Sequence, residues 1–307
     1  MTGASRTWRP GRPVDLRATL GSLRRGSGDP TQREDVLGSL WRASRTPDGA
    51  ATLRLTVRAD LGEVRARAWG LGAAWALETM PGLLGAGDDP AGFAPRHPLL
   101  RDVWRRHPGW RVPRSRAVLE ALVPAVLEQK VTGREAWRAF RTLVRTYGER
   151  APGPVDHLAG GLWVPPDARA WARVPSWAWH RAGVDLSRSR TVVTAAGSAG
   201  RLEALARRPP AEAAPRLVSL PGVGAWTAAE VAQRALGDPD AVSIGDFHLP
   251  KLVGWALVGE RVDDATMLEL LEPYRGHRYR AVRLVELSGL SYPRHGPRFG
   301  GRDFRAI

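Results

Sequence analysis

The stretch Ala51-Thr52-Leu53-Arg54-Leu55-Thr56-Val57-Arg58 alternates apolar and polar positions, and Glu63 to Trp69 alternates again. A period of two predicts half-buried strands, here joined at Ala59-Asp60-Leu61-Gly62. From about residue 98 the period lengthens. Between Ala117 and Val131 the apolar positions Leu119, Leu122, Val123, Val126 and Leu127 recur at helical spacing. A second helix is expected from Arg134 to Tyr147, ended by Gly148. Pro152-Gly153-Pro154 and Val164-Pro165-Pro166 mark loops. Short helices are expected from Asp167, Ser176, Ser187 and Ala211, and a final pair over 247–258 and 277–290. A helical stretch over 14–25 precedes the strands. No internal repeat is present.

This order predicts an α+β protein: a small antiparallel sheet ahead of a mostly helical bundle. The expected divisions are 1–97 for the sheet domain, 98–290 for the bundle and 291–307 for a basic, Gly- and Pro-rich tail. Residues 1–12 are polar and basic and read as a loose arm.

The 307 residues carry a formal net charge of +15. So large an excess calls for a polyanionic partner, nucleic acid ahead of a membrane surface. Of 46 basic residues only Lys130 and Lys251 are lysines, so the chain offers almost no amine nucleophiles. Cysteine is absent. That excludes thiolate zinc sites, disulfides and cysteine-ligated iron–sulfur clusters. No stretch has the length of a membrane span and no apolar leader is evident, so a cytoplasmic, nucleoid-associated bacterial protein is expected.

The candidate chemistry lies in Leu220-Pro221-Gly222-Val223-Gly224-Ala225-Trp226-Thr227-Ala228 and in Gly245-Asp246-Phe247-His248-Leu249. Leu217 and Leu220 pack the helix before the turn. Gly222 and Gly224 allow the backbone to approach a ligand closely. The amides of Val223, Gly224 and the following helix start lack helical partners and suit a phosphate oxygen. Thr227 can cap the helix or touch a phosphate. Asp246 stands where another helix starts, so it reads as an N-cap, as a catalytic carboxylate, or as both. His248 beside it reads as a surface or groove histidine.

The Gly-x-Gly turn between helices, the Gly245-Asp246 pair after it and the helix ending Val126-Leu127-Glu128-Gln129 resemble the helix–hairpin–helix (HhH-GPD) DNA glycosylase superfamily. The similarity is greatest to the 3-methyladenine DNA glycosylase II branch. It extends over most of the chain, from Val14-Asp15-Leu16 and Leu20-Gly21-Ser22-Leu23 through the strands to Pro273-Tyr274-Arg275. The resemblance implies a monomeric hydrolase that flips a damaged base out of duplex DNA and cuts its N-glycosidic bond. Asp246 is then the catalytic carboxylate. Trp226, Phe247 and Tyr274 line the base pocket with Ser22 and Glu230. Gln129 and Lys130 lie where the base leaves the duplex, and Gly222, Val223, Gly224 and Thr227 hold the DNA backbone. A monovalent cation, Na+ or K+, is expected on the carbonyls of Val218, Leu220 and Val223. No other cofactor is expected.

In strand-cutting members a lysine occupies the position of Trp226, so simple base removal is expected here. Three positions depart from the pattern. Glu230 and Ser22 replace aromatics, and Lys130 replaces an apolar wedge. Glu230 reads either as an acceptor for a base amino group or cation, or as a carboxylate facing the helix dipole. Lys130 reads as a phosphate contact. Alkylated purines are the expected substrates. A deaminated or oxidised base is an alternative, and so is a non-catalytic damage-sensing protein.

Overall fold

The computed structural model describes residues 3–158 and 161–293. Most of the expected tail over 291–307 lies outside the described residues, as do Met1 and Thr2 of the expected arm.

Five antiparallel strands, β1 (Ala4–Trp8), β2 (Gln32–Glu34), β3 (Leu40–Thr46), β4 (Gly49–Arg58) and β5 (Glu63–Trp69), form one sheet in the order β1-β5-β4-β3-β2. The expected hairpin is β4–β5. Its register sets Leu53 opposite Ala68, Leu55 opposite Ala66 and Val57 opposite Val64, so the alternating apolar residues share one face. That face packs on Leu16 and Leu20 of α1 (Leu16–Leu20) and on Leu77 and Met80 of α2 (Ala73–Leu83). The opposite face carries Trp41 stacked on Trp69, over the loop residues Val155, Leu158 and Leu162. Strand β3 is buried on both faces and therefore shows no alternation, which hides it from pattern reading.

The arm expected to be loose is in part an edge strand. Ala4 to Trp8 pair with β5, and the Arg6 guanidinium donates to the carbonyls of Leu77 and Glu78. An exposed edge strand is held by backbone bonds and leaves little hydrophobic signature.

The helical region contains two cores. The first is built by α4 (Val118–Leu127), α5 (Gly133–Tyr147), α6 (Ala168–Arg173), α7 (Ser176–Ala182), α8 (Leu186–Gly197), α9 (Ala199–Ala204), α10 (Pro210–Val218) and α11 (Ala225–Val231). A two-stranded ribbon, β6 (Glu149–Arg150) and β7 (Trp163–Val164), flanks it. The second core joins α3 (Pro98–Arg106) to α12 (Leu249–Val258), α13 (Asp264–Leu271) and α14 (Arg278–Leu287). Local chemistry sets the helix starts. Asp167, Asp185 and Asp263 cap α6, α8 and α13, and Thr132 with Glu135 forms a capping box on α5. Helix α4 is capped from a distance: the Glu203 carboxylate accepts from the amides of Val118 and Leu119, both at 2.9 Å. Leu236 belongs to the first core and Leu249 to the second. The connection between them carries Asp246.

Candidate active site and nucleic-acid interface

Helix α10 ends at Val218 with Ser219 as its C-cap, and the Val223 amide donates to the Leu220 carbonyl at 3.0 Å to close the turn. Gly222 has φ +83°, and a Cβ there would sit 1.9 Å from Thr191 Oγ1, so both conformation and space require glycine. Gly224 is extended, heads α11 and faces open space. Pro221, Gly222, Gly224 and Ala225 are exposed. The turn thus presents backbone to solvent at a helix start, as a phosphate-binding hairpin must.

Two residues expected on DNA, Gln129 and Thr227, are bonded into the hairpin. The Gln129 amide donates to the Gly222 carbonyl at 3.0 Å and to the Thr227 hydroxyl at 2.8 Å. Thr227 is only 2% exposed. It braces the turn from inside and is out of reach of a phosphate. Lys130, next to Gln129, is exposed at φ +56°. The carbonyls expected to hold a cation belong to this hairpin. Among the described residues no cluster of His, Asp and Glu has the makings of a metal site.

Asp246 is half-buried and fully engaged. One carboxylate oxygen, Oδ1, accepts from the amides of His248 (2.7 Å) and Leu249 (2.8 Å), at the start of α12. The other, Oδ2, accepts from the Trp226 indole at 3.0 Å. The N-cap of α12 is His248, so Asp246 stands two residues ahead of the cap and ties the turn that leads into the helix. The preceding Gly245, at φ +88°, donates its amide to the Asp264 carboxylate of α13 at 3.2 Å. His248 Nδ1 lies 2.6 Å from the Tyr292 hydroxyl.

Glu230 is buried, at 8% exposure. Its Oε1 accepts from the Ser243 hydroxyl at 2.6 Å, and its Oε2 lies 2.8 Å from Arg234. Burial pushes this carboxyl above the usual range, against the pull of Arg234. Arg234 also donates to the Ser22 carbonyl at 2.8 Å. A second pair, Arg25 with Glu128 at 3.3 Å, adds to this buried charge. Glu230 is thus neither a solvent-facing helix-start carboxylate nor a carboxylate with both oxygens open to a base. It and Ser22 are joined through a guanidinium.

The expected aromatic lining is only partly assembled. Phe247 is 70% exposed, with the Lys251 ammonium 3.3 Å from its ring centroid. Tyr274 is placed in the second core, 6% exposed and 6.0 Å from Phe93, and its hydroxyl accepts from the His97 amide. It packs the core and does not line a base pocket. Sequence reading missed Ser243, Gln233, Arg234 and Asp264. Arg234 follows Glu230 by four residues, the spacing of a helical ion pair, and was the one legible signal.

The three-dimensional arrangement matches solved glycosylases. It aligns with a 3-methyladenine DNA-glycosylase from Archaeoglobus fulgidus at a TM-score of 0.75, covering 92% of this chain and 98% of that one, with 17% identity. The 8-oxoguanine glycosylase/lyase of Clostridium acetobutylicum aligns at 0.70, covering 94% and 98%, with 11% identity. The chain has the fold of the helix–hairpin–helix DNA glycosylases. In sequence it is 36% identical over 155 residues to a probable bifunctional transcriptional activator/DNA repair enzyme AlkA of Mycobacterium tuberculosis. That match covers 50% of this chain and 30% of that protein, so the similarity spans under a third of the relative's length. No protein-family model matches the chain. Among the described residues, no helix of this glycosylase fold is long and apolar enough to cross a membrane.

Proposed function

We propose that this protein is a monofunctional DNA glycosylase that removes alkylated purines of the 3-methyladenine and 7-methylguanine type from duplex DNA. One observation carries the reading: the Asp246 carboxylate is held by the His248 and Leu249 amides and by the indole of Trp226, which stands two residues after Gly224 of the exposed glycine hairpin. In this reading the exposed backbone at Gly222 and Gly224 binds phosphates together with Lys130, the Val223 amide being taken up by Leu220 inside the turn. The hairpin carbonyls of Val218, Leu220 and Val223 take a monovalent cation. The target base leaves the stack at a cost of a few kcal/mol and meets the rings of Trp226 and Phe247. A cationic alkylated purine is attracted to such rings and leaves as a neutral base.

The reaction breaks the C1′–N bond, and the electron pair goes to the departing base. Positive charge grows on the sugar, and the Asp246 carboxylate stabilises it from a fixed position. A water oxygen then bonds to C1′ and gives up its proton to Asp246 or to solvent. The hairpin carries Trp226 and no lysine, so no Schiff base forms with the sugar.

The test is base release from duplexes carrying methylated, deaminated or oxidised bases, with Asp246→Asn as control. Release from methylated duplexes alone, without a borohydride-trapped adduct, is expected. Unchanged release by Asp246→Asn would overturn the mechanism. The buried Glu230–Arg234–Ser22 link, in place of aromatics, favours a second reading in which a deaminated or oxidised base is the substrate. Release from those duplexes would establish it, and tight binding without release would mark a damage sensor.

A further inference from the structure

We infer that Glu230 is a positioning residue, which acts through Ser243 to hold the Asp246 carboxylate against Trp226. The inference rests on the functional reading above only for its catalytic consequence.

Trp226 and Glu230 stand four residues apart on α11 and so share a helix face. Each grips the same loop at a different point. Trp226 holds Asp246 by its carboxylate, and Glu230 holds Ser243 by its hydroxyl, at 2.6 Å. The two grips are coupled by backbone, because the Asp246 amide donates to the Ser243 carbonyl at 3.3 Å. The polarity of the Ser243 bond is set by its other neighbour. Gln233 donates its side-chain amide to the Ser243 oxygen at 3.0 Å, so the single hydroxyl proton is left for Glu230. Gln233 also donates to the Ala241 carbonyl at 2.9 Å, which fixes the loop at a further point.

A carboxylate suits this task. A charge-assisted hydrogen bond is shorter and stronger than a neutral one. Arg234 compensates the buried charge and is itself tied to the Ser22 carbonyl. The side chain that displaces an expected aromatic therefore belongs to the apparatus that aims Asp246. Precision of this kind matters, since a displacement of about 1 Å at a reacting group costs on the order of 100-fold in rate.

Replacing Glu230 by Ala leaves Arg234 buried without its partner, which threatens the fold. The deciding variant is Ser243→Ala, which keeps the Glu230–Arg234 pair and removes the hydroxyl shared by Glu230 and Gln233, while Gln233 keeps its bond to the Ala241 carbonyl. In the ¹⁵N-labelled full chain, the Trp226 indole resonance, identified with Trp226→Phe, reports the bond to Asp246. In Ser243→Ala we expect that proton to shift and to exchange at least tenfold faster. We expect single-turnover base release to fall at least tenfold while the Kd for duplex DNA changes less than twofold. Glu230→Gln, which retains an acceptor for Ser243, should keep more activity than Ser243→Ala. An unchanged indole resonance would overturn the inference. A changed resonance with parental base release would overturn the catalytic role. If the parent releases no base from any duplex, the functional reading fails, while the indole resonance still decides whether Ser243 holds the Asp246–Trp226 pair.

Discussion

The Trp226 indole donates its one hydrogen bond to Asp246 Oδ2, which leaves Oδ1 to the two helix-start amides of His248 and Leu249. The ring that the hairpin projects and the carboxylate that leads into the next helix are therefore one unit. Trp226→Phe keeps an aromatic surface and removes the bond. We expect single-turnover base release to fall about tenfold, the loss of a hydrogen bond of roughly 1.4 kcal/mol to a charged group, with little change in DNA affinity.

Asp246→Asn separates the two jobs of this side chain. Asn keeps an oxygen for the His248 and Leu249 amides but turns its NH2 toward the Trp226 indole, so the melting temperature should fall slightly, by less than in Asp246→Ala. Base release should fall by about 100-fold or more, because a neutral amide does not stabilise the growing charge on the sugar. Thermal melts and single-turnover assays on the same preparation check both halves.

Gly222→Ala should destabilise the chain by about 2 kcal/mol or more, through the positive φ and the collision with Thr191. In a Thr191→Ala background the same change should cost less, and what remains measures the backbone conformation alone. A double-mutant cycle by chemical denaturation reads out the coupling.

Lys130→Ala should weaken binding to every duplex sequence alike. It should lower the slope of log Kd against log salt concentration by about 1, as expected for one lost phosphate contact. A change confined to particular sequences would place Lys130 on a base instead.

Glu203 gives the pH prediction. Burial raises its carboxyl above the usual value of 4.5, although the amides of Val118 and Leu119 pull the other way. A carboxyl raised in the folded state contributes stability that is fully present below its unfolded pKa. That contribution is lost as pH rises through the folded value. Glu203→Gln removes this dependence. The melting temperature of the variant relative to the parent should therefore climb from pH 4.5 to neutrality, and a flat difference would contradict the assignment.

Local pattern carried far in this chain. The alternation over 51–69 marked a hairpin because one sheet face is buried and the other is not. The apolar rows over 117–147 marked α4 and α5, and the Asp and Thr caps are chemistry within three residues of where they act. Strand β3 was illegible because both its faces are covered, and β1 because almost none of it is. Helix α13 opens at Asp264, which ties Gly245 across the connection between the cores, and no local spacing announces such a contact.

The site divides along the same line. The sequence by itself determined the hairpin, the acid that follows it and the presence of a tryptophan at 226 with no lysine in the turn, since these depend on residue identity at short range. Only the tertiary structure decided that Thr227 and Gln129 brace the turn, that Tyr274 packs a core and that Glu230 reaches Ser243. Those roles depend on which buried polar atoms meet. A side chain withdrawn from water must find its hydrogen bond wherever the packed chain supplies one.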